Sequence, residues 1–290
     1  MRHRQSSSGV GIRDYAAYVF IWIPLWAWYV YYSRLFSEQI ISANSLLVAV
    51  VICSWVFPVS IYWGWSIIVD LVWVRIATRH AKIQWTKPQV TLSEFIRIAP
   101  RIIVNQVAVQ LPYTIFLGQF MFIPLIGSER LLEIPAFSSV VKDLIMFAIV
   151  GEFAFYYFHR LCHANKFLFN NVHSLHHTFD APFGFTTIYC HWFEHLLVNM
   201  TPVMLGPFLM RAPLATIMLW VSISTITSVG SHSGHSLLFM PSSEQHDWHH
   251  LHYNENFGLL GICDSFHNTN SKFLKYMASS SDTQIEYTNE

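Results

Sequence analysis

The sequence predicts an all-α integral membrane protein. The expected architecture is about four transmembrane helices plus a re-entrant or short helical hairpin, with a cytosolic helical cap that carries a histidine-rich site. Three observations predict it. Hydrophobic residues make up 53% of the 290 positions and charged residues only 12%, against roughly 25% charged in an ordinary globular protein. Eleven Trp and thirteen Tyr suit membrane interfaces, where amphipathic rings sit at headgroup depth. Sixteen histidines are present, and thirteen of them fall between His159 and His252.

The elements follow in order. Residues 1–13, short, basic and rich in Ser and Gly, read as a disordered cytosolic arm. Residues 14–136 form an N-terminal transmembrane region. Its first span, about Tyr15–Tyr32, reads as an uncleaved anchor, since about 20 apolar residues cross a bilayer core. The second span is about Leu46–Ile68, with Pro58 inside it, and prolines are tolerated in membrane helices. Arg75, Arg79, Lys82, Lys87, Arg97 and Arg101 then mark a cytosolic loop by the positive-inside rule. A third span, about Ile102–Ile126 around Pro112, is either one long helix or a broken hairpin. The fourth runs from about Ser138 to Phe158 and brings His159 out on the cytosolic side. The stretch Leu196–Val229, interrupted by Gly206, Pro207, Arg211 and Pro213, reads as a hairpin returning to the same face. From Glu244 the chain reads as polar and cytosolic. Residues 137–272 are expected to form the histidine-bearing domain and 273–290 a disordered tail.

Zero net charge gives no reason to expect nucleic acid. Cys53, Cys162, Cys190 and Cys263 form no CxxC pair and read as reduced thiols.

The histidines fall in five clusters: HRLCH (His159, His163), HSLHH (His173, His176, His177), CHWFEH (His191, His195), SHSGH (His232, His235) and HDWHH (His246, His249, His250). On a helix, i and i+4 share a face, as do i and i+3. HxxHH therefore aims its outer histidines together and turns the middle one about 100° away. Diverging neighbours suit two metals better than one, and imidazole suits Fe, Zn, Cu and Ni. Glu152, Tyr156, His159 and His163 make one helical stripe. A carboxylate and imidazoles at membrane depth are a functional hypothesis by default. His195 and His235 are extras to the pattern and possible additional ligands. His252 reads as a surface residue, and His80 and His267 as interfacial anchors. Neutral imidazoles leave metal charge uncompensated, so nearby carboxylates should orient the rings. Glu152, Asp180, Glu194, Asp247 and Asp264 are the candidates, and for each a surface or capping role stands beside that one.

HxxxH, HxxHH and a distal HxxHH in a chain with membrane spans resemble the fatty acid hydroxylase and sterol desaturase superfamily. The finer resemblance is to the branch of sterol C4-methyl monooxygenases and fatty acid hydroxylase domain-containing proteins. It rests on APFG (Ala181–Gly184), Tyr189–His191 with Glu194, HSG (His232–Gly234) and EHLLVNMTPVMLGPFLM, and it is strong over about residues 140–270. That resemblance implies ten metal ligands: His159, His163, His173, His176, His177, His191, His232, His246, His249 and His250. It also implies two iron ions (a di-iron centre), dioxygen, and electrons from NAD(P)H carried by cytochrome b5 and its reductase. The chain has no haem-binding or nucleotide-binding segment of its own that could replace those carriers. The implied substrate is a bilayer lipid. The implied location is the endoplasmic reticulum membrane, with the histidine site and both termini cytosolic. The implied activity is C4-methylsterol oxidation. Alternatives are hydroxylation of fatty acyl or sphingolipid chains, or a non-catalytic, lipid-sensing protein that keeps its metals. A zinc hydrolase fits less well, because it needs one ion with an open position and a general base. The family often ends in a WDxxFGT-like segment. Here it reads CDSFHNT, which keeps Asp264 and Thr269 and lacks the Trp and Gly.

Overall fold

A computed structural model describes residues 45–73, 82–84, 86–87, 90–235 and 243–280. The expected first span, the basic arm and His80 lie outside the described residues. Among those residues the regular structure is helical, with one isolated bridge between Lys82 and His235. We number the main helices α1 (Leu46–Val72), α2 (Leu92–Ile126), α3 (Phe137–Ala164), α4 (192–209), α5 (Leu214–His232), α6 (Glu244–His252), α7 (Ile262–His267) and α8 (Ser271–Ser280). Three of them, α1, α2 and α5, are long and apolar enough to cross a membrane. The expected fourth span, α3, is 28 residues long but is not one of the three, and Lys142, Asp143 and Glu152 interrupt its apolar run.

Four prolines in the helices are kept by a shared device. A π-helical turn precedes each of Pro58, Pro112, Pro124 and Pro202: Ile52–Val56, Asn105–Gln110, Gly118–Phe122 and His195–Met200. A proline ring collides with the carbonyl four residues back and offers no N–H. A one-residue widening of the ladder absorbs both problems without ending the helix. The region around Pro112 is therefore one continuous helix, α2, of 35 residues or about 50 Å.

The expected hairpin is α4 and α5. Its turn is at residues 210–213, where Arg211 takes φ 50° and Pro213 starts the second arm. Gly206 and Pro207 lie inside α4, because Gly206 is a contact site and not a turn. A Cβ there would stand 2.8 Å from the Phe147 Cα of α3. Phe147, Leu117, Phe122, Met204, Ile217 and Val221 form the main apolar core between these helices.

The expected disordered tail starts too early. Residues 271–280 form α8, whose first turn is capped by the buried Glu255 carboxylate, which accepts from Lys272 N at 3.0 Å and Phe273 N at 2.9 Å. The Trp248 ring packs against Phe273 and Tyr276. All four cysteines are free and buried.

Candidate metal centre

Five segments deliver histidines to one buried region. The C-terminal end of α3 supplies His159 and His163. A π-turn and the 3-10 turn behind it supply His173, His176 and His177, with the kink at His177 (φ −80°, ψ 15°) separating the directions of neighbouring rings. The end of α5 supplies His232, and α6 supplies His246, His249 and His250.

The side chains sort into two groups able to hold an ion. His159, His163, His173, His177 and His249 form the first, and His176, His232, His246 and His250 the second. Within each group the ligand atoms lie within 4.8 Å of one another. The HSLHH and HDWHH segments each serve both groups, as the diverging spacing predicts. His177 and His250 lie across the boundary, with ring centroids 4.7 Å apart. His191 joins neither group. Its Nδ1 accepts from Phe193 N at 3.3 Å, so the ring caps the start of α4. His195 is buried beside Asn199, and His235 donates from Nδ1 to Ser233 O at 2.6 Å; neither is in a group. His252 stacks on Trp248, and His267 on Tyr156.

The tautomers show what the groups fit. A ring nitrogen beside a carbonyl or carboxylate oxygen carries the hydrogen and donates it. His159 Nδ1 donates to Phe257 O at 2.8 Å and His249 Nδ1 to Glu255 O at 2.7 Å. His232 Nδ1 donates to Ser228 O at 2.8 Å and His173 Nδ1 to Glu194 Oε1 at 2.8 Å. Each of these neutral rings then turns a bare Nε2 lone pair inward. His159 Nε2 and His173 Nε2 nonetheless sit 3.2 Å apart. Two lone pairs at that distance cannot hydrogen-bond; a shared cation satisfies both. Nearby Nε2 atoms are separated by 2.7 Å (His163–His173), 3.0 Å (His173–His177) and 3.2 Å (His177–His249) in the first group. In the second the values are 3.3 Å (His176–His232), 2.9 Å (His232–His246) and 3.1 Å (His246–His250). Two nitrogens about 2.1 Å from one ion, at right angles, stand about 3.0 Å apart. The donor set therefore fits metal ions.

Burial reinforces this. Desolvation, with the neighbouring imidazoles adding to it, holds His173, His176, His177, His246, His249 and His250 well below the usual imidazole range. Rings kept neutral at physiological pH are ready to ligate.

The candidate carboxylates divide by role. Glu194 alone among them touches a grouped histidine, and burial raises its pKa well above the ordinary carboxylate range. Asp264 and Glu152 act one step further out, on the loop whose carbonyls hold His159 and His249. Asp264 accepts from Phe257 N at 2.8 Å, Gly258 N at 2.7 Å and Thr269 Oγ1 at 2.7 Å. The Asp and Thr retained from the family segment are thus bonded partners. Glu152 accepts from Leu259 N, Leu260 N and Cys263 N at 2.7–2.9 Å. Gly258 is what lets both carboxylates close in, since a Cβ there would stand 2.7 Å from Glu152 Oε1 and 2.8 Å from Asp264 Oδ2. Asp247 accepts from Gln84 Nε2 at 2.9 Å and lines a cavity of about 30 Å³ with Gln84, Gly234 and His235. Burial lifts its carboxyl to about 7, against the pull of Gln84 and Lys82. Asp180 accepts from Tyr253 OH at 2.8 Å, and its carboxylate is half-exposed toward Lys87.

Several framework residues escaped the sequence reading. Asp70, buried in α1, accepts from Gly184 N at 2.8 Å and Phe185 N at 2.9 Å, and so holds the APFG segment. Asn105 donates to Ile188 O and Cys190 O at 3.0 Å each. An acid alone in an apolar run was the available signal for Asp70; Asn105 and the Glu255 cap gave none.

Known proteins share part of this chain. Residues 144–269 match the fatty acid hydroxylase family model. It is similar to fatty acid hydroxylase domain-containing protein 2 of Homo sapiens, with 37% identity over 172 residues, 59% of this chain and 51% of that protein. A very-long-chain aldehyde decarbonylase, GL1-11 of Oryza sativa subsp. japonica, is 31% identical over 178 residues, 59% of this chain and 65% of the relative. Methylsterol monooxygenase 1-3 of Arabidopsis thaliana is 27% identical over 145 residues, 47% of this chain and 49% of the relative. The chain spans about half the length of the first curated relatives it matches. No solved structure matches it.

Proposed function

We propose that this protein is a membrane-bound, dioxygen-dependent di-iron monooxygenase of lipid metabolism, closest in reaction to a C4-methylsterol oxidase. The observation that carries the reading is the convergence of nine imidazoles, seven of them buried, into groups of five and four, with four tautomers fixed so that Nε2 lone pairs point inward. Similarity to a methylsterol monooxygenase supports the substrate class. The first iron would be held by His159, His163, His173, His177 and His249, and the second by His176, His232, His246 and His250. An iron pair held there would activate dioxygen, the oxidant that cleaving an unactivated C–H bond requires and that side-chain acid–base chemistry cannot replace.

The chain's own residues hold that site in place. Glu194 orients His173 and offsets charge in a dry interior. Glu152 and Asp264 hold the loop that fixes His159 and His249. Apolar surfaces of α1, α2 and α5 would bring the lipid to the histidines from the bilayer. We further propose that cytochrome b5 and its NAD(P)H-dependent reductase supply the electrons at the cytosolic face of the endoplasmic reticulum. Hydroxylation of a fatty acyl chain is the second reading, favoured by 28% identity over 196 residues to fatty acid hydroxylase ahd1 of Mycosarcoma maydis.

The test is metal analysis of the purified protein together with a lipid profile of cells lacking it. Two irons per chain and accumulated 4-methylsterols support the first reading. Unhydroxylated acyl chains accumulating in their place would select the second. Zinc alone with an unchanged lipidome would overturn both.

A further inference from the structure

The segment after the last histidine cluster is built inside out. Three of its polar side chains point inward: Asp264 is 0% exposed, Asn256 1% and Glu255 5%. Four of its large apolar side chains point outward: Leu259 is 48% exposed, Leu260 54%, Ile262 52% and Phe266 81%. A loop in water does the reverse, because leaving four such side chains in solvent forgoes about 1.5–3 kcal/mol each. An apolar patch of this kind marks a contact surface.

Its position says what it contacts. Leu259 N, Leu260 N and Cys263 N all donate to Glu152, which lies seven residues before His159, or about 10 Å along α3. The loop thus reaches back from the histidines along α3, toward the apolar part of that helix. There α3 exposes a ridge at every fourth residue, Val141, Ile145, Ile149, Phe153, Tyr157 and Leu161. Glu152 and Phe153 are adjacent, so the loop joins that ridge at its side. Tyr157 OH and His267 Nε2, 3.0 Å apart, add a second tie between helix and segment.

We propose that residues 259–266 are a membrane-inserted loop whose Leu259, Leu260, Ile262 and Phe266 side chains contact the acyl chains of the bilayer. It makes one continuous lipid-facing surface with the outer ridge of α3. Three of the loop's amides, Leu259 N, Leu260 N and Cys263 N, are paired with the Glu152 carboxylate, which lowers the cost of bringing non-helical chain to membrane depth. The same loop presents Phe257 O to His159, so the wall the lipid touches is mechanically joined to the metal centre. The proposal rests on the chain residing in a bilayer and not on the metal or the reaction.

Site-directed labelling tests it. The four native cysteines are buried, so a nitroxide on L260C or F266C reports one position, with N254C on the polar turn as control. The full-length protein is reconstituted into phosphatidylcholine vesicles, and collision with oxygen is compared with collision with a water-soluble nickel chelate. Labels at 260 and 266 should collide far more with oxygen than with the chelate, and the label at 254 the reverse. Chelate-dominated relaxation at 260 and 266 would overturn the proposal. So would dipolar broadening between labels that vanishes on dilution with unlabelled protein, because it would mean that a second copy covers the patch. An unchanged melting temperature in detergent for each labelled variant confirms folding and keeps this result separate from the metal reading.

Discussion

The two histidine groups share segments but are supported unequally. In the five-histidine group three rings are anchored from behind: His159 by Phe257 O, His249 by Glu255 O and His173 by Glu194. In the four-histidine group only His232 is anchored, by Ser228 O, while Nδ1 of His176 and of His250 has no hydrogen-bond partner among the described residues, as is the case for one ring, His177, of the first group. A ring held from behind meets a metal without losing rotamer freedom, and a carboxylate behind it raises its basicity. The first group is thus held in place by its own partners, and the second would depend more on a bound ion for its order.

Several experiments would break or sharpen that contrast. The largest effect is expected from His249→Ala. It removes a ligand of the anchored group that also contacts His177 at 3.2 Å. Product formation should fall below detection and metal content should drop by at least one ion per chain, read by plasma emission spectrometry. Retained product would be incompatible with a ligand role. Next comes Glu194→Gln, which keeps a hydrogen-bonding side chain but deletes the charge. Metal affinity should weaken by roughly 10–100-fold in a chelator competition. Under the same titration the wild-type protein should lose its ions in two steps, the four-histidine group first; a single step would mean that the groups are coupled as one site.

Gly258→Ala should act on stability more than on chemistry. Its Cβ would enter the space between Glu152 and Asp264, costing about 1–3 kcal/mol, visible as a lower melting temperature in detergent. The pH dependence of the metal-free protein has a definite sign. Histidines whose folded pKa is depressed below about 6.5 contribute stability that is present above that pH and lost as pH falls through it. Asp247, raised to about 7, opposes this, since its folded form holds a proton that the unfolded chain releases above about 4. The depressed imidazoles outnumber the raised carboxyls, so the melting temperature should decline from pH 7 to pH 5. A flat or rising profile would contradict the burial of the cage. The smallest effect is expected from His191→Ala. This ring caps a helix and stands outside both groups, so metal content should hold while stability falls by about 1 kcal/mol.

Much of the site was legible in the sequence because metal-ligand spacing is a local property. HxxxH and HxxHH fix which rings share a direction wherever the segment is helical, and the division into two groups follows from that. The membrane character was legible because composition needs no tertiary knowledge. The end of α8 was missed because its cap, Glu255, lies sixteen residues before Ser271, and the function of Pro58, Pro112 and Pro124 because a π-turn has no sequence signature of its own.

The sequence by itself determined the histidine pairs, the apolar helices and the carboxylates available to support them. Only the tertiary structure decided which carboxylate touches a ring. Glu152 shares a helical stripe with His159 and His163, yet it bonds loop amides over a hundred residues away in sequence, while Glu194, twenty-one residues from His173, is the one that holds it. The tertiary structure also decided that residues 259–266 turn their apolar side chains outward. A buried carboxylate takes whichever donors the fold leaves unpaired beside it, and a pattern along one segment carries no record of the segment packed against it.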